Sequence, residues 1–68
     1  MKRYYYVPGI DVILEDAGDV FFMVALYDGS ASNISRFKGA DLLSENGHHE
    51  IEQQEFDGLL AQAGIELS

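Results

Sequence analysis

The sequence predicts an α+β fold, a small antiparallel sheet of three to four strands with one C-terminal helix packed on one face. Two stretches carry this expectation. Val20, Phe21, Phe22, Met23, Val24, Ala25, Leu26 and Tyr27 form a run without a charge. Its aromatic and β-branched residues favour a central strand. Phe56, Leu59, Leu60 and Ala63 recur at i, i+3, i+4 and i+7 and make one apolar stripe on a helix.

The uncharged run also constrains what surrounds it. Val20, Phe22, Val24 and Leu26 share one face; Phe21, Met23, Ala25 and Tyr27 share the other. A strand with one wet face shows polar residues at alternate positions, and this one does not. Both faces are therefore expected to be covered: one by a helix, the other by loops, a second copy of the chain or a partner.

Residues 2–7 read as a first strand, because Tyr4, Tyr5 and Tyr6 favour extended backbone and suit a sheet edge or an interface. Pro8 and Gly9 break it. Residues 10–15 alternate, with Ile10, Val12 and Leu14 on one side and Asp11, Ile13 and Glu15 on the other. Asp16, Ala17, Gly18 and Asp19 then form a turn, so residues 10–27 read as a β-hairpin. That hairpin gathers Glu15, Asp16 and Asp19 at its tip, where turn acids are ordinarily solvated; the oxygen-ligand spacing of a calcium loop is missing.

Residues 28–33 are turn-rich, and residues 34–37 read as a further, weakly patterned strand. Arg36 and Lys38 alternate there as a solvent-facing pair, suited to neutralising nearby acids or protecting a sheet edge. Residues 39–45 are expected to form one helical turn, ended by Asn46 and Gly47. In the C-terminal helix Glu52, Gln53, Gln54 and Glu55 supply an acidic first turn suited to the positive end of the helix dipole. Gly64 suits the C′ position and Ile65 the hydrophobic contact of that cap. Gly58 costs about 1 kcal/mol relative to Ala inside a helix, which suggests close approach to the sheet. Residues 65–67 are a fraying end or a short last strand.

The chain has 68 residues and reads as one domain, residues 1–68. A chain this short buries only about 60% of its unfolded surface. It has no Cys, so neither disulfides nor thiolate zinc sites reinforce it, and a reducing cytoplasm is the expected location. Met1, Lys2 and Arg3 are not followed by an apolar signal core, and no apolar run approaches membrane-spanning length. Twelve acids against four Lys and Arg give a formal net charge of -8. No base lies between Tyr4 and Ser35, and none follows Lys38. Such a field repels nucleic acid and acidic membranes and attracts basic protein surfaces, besides giving solubility.

Catalytic chemistry is not signalled. The glycines are scattered rather than gathered in a phosphate loop, and no Ser sits in a nucleophile elbow. Ser44, Asp41 and His48 or His49 make a weak triad pattern in a chain with little cleft to exclude water. Adjacent His48 and His49 diverge on a strand or a helix, so no metal and no cofactor is expected. What remains is non-catalytic binding to a larger protein with a basic surface. The expected contact residues are Asp11, Glu15, Asp16 and Asp19 on the hairpin, Glu50, Glu52, Glu55 and Asp57 near the helix start, and Tyr4, Tyr5 and Tyr6. In its extreme form this is nucleic-acid mimicry, with carboxylates standing where phosphates would bind.

In size, charge and α+β pattern the chain resembles the small acidic inhibitors that phages and mobile elements direct against nucleic-acid-handling defence complexes, anti-CRISPR proteins among them. The resemblance implies an inhibitory protein–protein contact; no motif matches a particular family, so it assigns no residues. The alternative is a structural homo-oligomer or subunit associating through the apolar surface of Tyr4–Tyr6 and residues 21–27.

Overall fold

Val12, Ile13 and Leu14 are buried in succession, at 4%, 0% and 0% exposure. Neighbouring strand residues point to opposite faces, so a sheet with such a run must be covered on both sides. The computed structural model describes residues 2–65. In chain order it contains β1 (Arg3–Val7), a 3-10 turn (Pro8–Ile10), β2 (Val12–Asp16), β3 (Val20–Ala25), β4 (Ser30–Ser35), α1 (Arg36–Glu45), β5 (His49–Ile51) and α2 (Gln53–Gln62). The strands form one antiparallel sheet in the order β4-β3-β2-β1-β5.

The fold is α+β as expected, with more elements than expected: five strands rather than three to four, and two helices rather than one. The centre of the sheet is β2, not the longer uncharged run, which supplies its neighbour β3. The hairpin is β2–β3, registered by Ile13 opposite Val24 and Asp16 opposite Phe21. Ile10 belongs to the 3-10 turn instead, and residues 26–29 are a turn.

The two helices lie on opposite faces. On one, Phe56 and Leu60 of α2 pack with Tyr4, Ile13, Val24 and Ile51. The Tyr4 and Phe56 rings tilt together at a centroid distance of 4.8 Å. On the other, Leu42 and Leu43 of α1 pack against a cluster of Val7, Val12, Leu14, Phe21 and Ala25. The second face of β3 is thus covered by the chain's own helix.

Residues 34–37, expected as strand, divide between the end of β4 and the start of α1. Ser35 makes the break. Its backbone is extended, and its side chain accepts a hydrogen bond from the Lys38 N–H at 3.1 Å, a helix N-cap. Gly39 then lets α1 descend onto the sheet. A Cβ there would stand 2.6 Å from Cγ of Phe21 and closer still to the ring edge. The glycine that permits close approach is therefore Gly39 and not Gly58, where a Cβ meets nothing within 4 Å.

The end of α2 follows its sequence signal. Gly64 takes φ +78, its N–H donates to Ala61 O at 3.1 Å, and the Ile65 N–H donates to Leu60 O at 3.0 Å. This pair of bonds is a Schellman cap, with Ile65 returned to the core. Ile65 is not in a strand; Glu66 and Leu67, the rest of the expected last strand, lie outside the described residues. Among the described residues no helix is long and apolar enough to cross a membrane.

Three substitutions test this packing by thermal or denaturant unfolding. Leu60→Ala, at a site 2% exposed, should cost about 2–5 kcal/mol. Gly39→Ala should cost about 1–3 kcal/mol by overpacking Phe21, whereas Gly58→Ala should raise stability by up to about 1 kcal/mol. Equal effects of the two glycine changes would contradict the placement of α1.

Candidate functional site

The register of the sheet decides which charges meet. Arg3 lies opposite Asp16, Asp16 opposite Phe21, and Tyr4 opposite Ile51. One end of the sheet therefore carries the start of β1, the β2–β3 turn, the end of β5 and the N-terminal ends of both helices. Most of the predicted contact carboxylates collect there, together with Lys2, Arg3 and Arg36.

Because Glu15 and Asp16 are adjacent on β2, the strand sends them to opposite faces. The expected cluster of Glu15, Asp16 and Asp19 is thereby split. Glu15 lies on the α2 side, half-buried, with its carboxylate 3.3 Å from Lys2 Nζ. It joins Glu52 and Asp57 around one shallow groove floored by Tyr4 and Phe56. Two acidic groups far apart in sequence thus become one site. Glu50 borders that groove from β5 but, paired opposite Tyr5, sends its side chain to the α1 side. Glu50 reaches Arg3 at 3.6 Å. Glu52 stands at the N-cap of α2 without a side-chain capping bond, so its carboxylate stays on the surface. Glu55, one turn on, is exposed beside it.

Asp16 faces the α1 side and is engaged. Arg36 grips it through Nη1 at 2.7 Å and Nη2 at 3.2 Å, and the Gly18 N–H donates to it at 3.0 Å. The Arg36 hydrogen bond, seconded by that N–H, holds the Asp16 carboxyl below its ordinary value of 3.8. Arg36 also lies over the Phe21 ring, 5.1 Å from its centroid, and donates to Gly18 O. It links the hairpin turn to the start of α1. The sequence suits Arg36 to neutralising a nearby acid; that the acid is Asp16, and that the pair ties the hairpin turn to a helix, follows only from the fold. Asp19 is exposed in the turn and makes no ion pair among the described residues.

Asp11 is at the other end of the sheet. It occupies the left-handed region at φ 55 where the 3-10 turn meets β2, a conformation Asp tolerates better than most residues. It borders a cleft with Leu26, Leu59 and Gln62. Asp11 therefore does not join the other acids.

The tyrosines divide by the strand's alternation. Tyr4, expected at a contact surface, is 7% exposed and belongs to the core. Tyr5 and Tyr6 are half-buried on opposite faces, each meeting a histidine edge-on: Tyr5 with His48 at 5.9 Å, Tyr6 with His49 at 5.6 Å. The two histidines accordingly part to opposite sides, and His48 Nδ1 lies 3.1 Å from Asn46 O. Among the described residues no group of three or more His, Cys, Asp or Glu could hold a metal ion. Ser44 Oγ donates to the backbone O of Asp41 at 3.0 Å, so the weak triad pattern is not assembled through this hydroxyl.

A carboxyl whose folded pKa is lowered contributes stability at pH values above its unfolded pKa and loses it as pH falls through the folded value. For Asp16 that loss sets in as pH falls to its ordinary value of 3.8 and continues below it. The melting temperature of Asp16→Asn should lie below that of the wild type at pH 6, and the gap should close as the pH is lowered toward 2. A gap independent of pH would show that the Arg36 pair contributes nothing.

No protein-family model matches this chain, nor does any curated protein or solved structure.

Proposed function

We propose that the chain is a non-catalytic protein-binding module, a small acidic inhibitor that sets its α2-side groove on a basic site of a larger nucleic-acid-handling protein. One observation carries the reading: Glu15, Glu52 and Asp57, from β2 and the start of α2, line the same groove. Lys2 offsets one of these carboxylates, Glu15. Glu52, Glu55 and Asp57 make no ion pair among the described residues and are exposed. Lysines and arginines of a partner that ordinarily hold phosphates would find carboxylate acceptors there.

The alternative of self-association through Tyr4–Tyr6 and residues 21–27 is less favoured here, because part of that surface is turned inward. Tyr4 and Phe21 are buried at 7% and 3% exposure, under α2 and α1 respectively.

The groove also determines which variants test the proposal cleanly. Reversing Glu15 and Asp16 would break internal ion pairs, so their loss of binding would be ambiguous. Glu52→Lys with Asp57→Lys changes the groove alone, and Asp41→Lys with Glu45→Lys on α1 is the control. A partner captured from lysate at about 50 mM salt should dissociate as salt rises to about 300 mM, because exposed charges are then screened. The groove pair should weaken that complex at least about tenfold, or about 1.4 kcal/mol, and the control pair much less. Nucleic acid should compete for the same partner. Equal binding by the groove pair and the wild type at low salt would refute the proposal.

A further inference from the structure

We infer that the outer edge of β4 pairs antiparallel with the β4 edge of a second copy of this chain, joining two five-stranded sheets into one. The two edges of the sheet are unlike. β5 spans His49–Ile51 and carries a charge at Glu50. β4 spans Ser30–Ser35 and has no charge and no Pro, the devices that ordinarily keep a strand edge from pairing. Among the described residues nothing pairs with its outer side.

The hydrogen-bond pattern fixes which groups are open. The Leu26 N–H donates to Asp11 O and the Gly29 N–H to Ala25 O, both at 2.9 Å. Ala25 therefore turns its backbone toward β4. Along the β3–β4 ladder the backbone groups of Ser32 and Ile34 turn inward, opposite Met23 and Phe21, while the Ser30 N–H donates to Asp28 Oδ1 at 2.9 Å. By alternation the N–H and C=O of Ala31 and Asn33 turn outward. A two-fold axis at Ser32 sets Ala31 of one copy opposite Asn33 of the other, twice, so every one of these groups finds a partner.

The ends of β4 favour a second copy as the occupant. Asp28 precedes the strand; Arg36 and Lys38 follow it. Lys38 makes no ion pair among the described residues, whereas Arg36 is held by Asp16. Antiparallel pairing brings the Asp28 end of each copy beside the Lys38 end of the other. It also brings together the ends that carry Tyr27 and Phe37, which are 69% and 76% exposed. These rim charges set register more than strength. The whole chains, each of formal charge -8, repel, so the dimer should tighten with added salt, opposite to docking by the acidic groove.

Sedimentation of the full chain across a concentration series tests this, with amide hydrogen exchange on the same samples. The expected result is a shift to twice the chain mass, stronger at higher salt, with the Ala31 and Asn33 amides slowed only in the dimer. Asn33→Pro, which removes one outward donor, should stay monomeric with an unchanged circular dichroism spectrum. The exchange measurement needs no variant and decides the matter if that one misfolds. A chain that stays monomeric at every concentration overturns the proposal and leaves the edge to an extended peptide of another protein. A dimer whose Ala31 and Asn33 amides exchange freely overturns it too, since the contact then lies elsewhere.

Discussion

The contact between Gly39 and Phe21 is the constraint on which the rest of the architecture depends. Only a residue without a Cβ lets α1 lie this close to the ring. With α1 in place, the second face of the sheet closes over Val12, Leu14, Phe21 and Ala25. Arg36 completes the arrangement from above, stacked on Phe21 and bound to Asp16. A chain of 68 residues has little surface to bury, and covering both faces of one sheet uses it fully. No buried side-chain N or O among the described residues lacks a hydrogen-bond partner, so this closure leaves no polar group stranded.

That closure shapes the exposed surface. With Phe21 and Tyr4 inside, the exposed chemistry is polar and mostly acidic, interrupted by the single aromatics Tyr27 and Phe37. The bases are confined to one end of the sheet, where Lys2, Arg3 and Arg36 hold Glu15, Glu50 and Asp16. Electrostatic docking through the remaining acids of the groove would be fast and salt-sensitive. β4, polar and uncharged, presents a different chemistry on another edge.

What the sequence made legible follows from how local each signal is. The uncharged run of β3, the hairpin turn at Gly18, the apolar stripe of α2 and its cap at Gly64 are short-range patterns, and each is found in the fold. The need for two covered faces was also readable from residues 20–27. The identity of the second cover was not. α1 presents only Leu42, Leu43 and Gly39 to the sheet, too sparse a stripe to announce a helix. Its start is marked by the Ser35 cap, which only the structure separates from a turn serine. The groove was half legible: Glu52 and Asp57 are close in sequence, but Glu15 joins them through the β1–β2 and β1–β5 registers, and Glu50 is turned to the other face by its pairing with Tyr5. Glu15 and Asp16 parted for the simplest reason, the alternation of a strand.

The most direct test of this account is a proton NMR measurement on Gly39. If α1 rests on Phe21, the Gly39 α-protons lie against the aromatic ring. They should then show cross-relaxation to the ring protons and shifts displaced by its ring current. Gly39 α-protons at random-coil positions, without cross-relaxation to Phe21, would contradict the closed second face and the polar surface that follows from it.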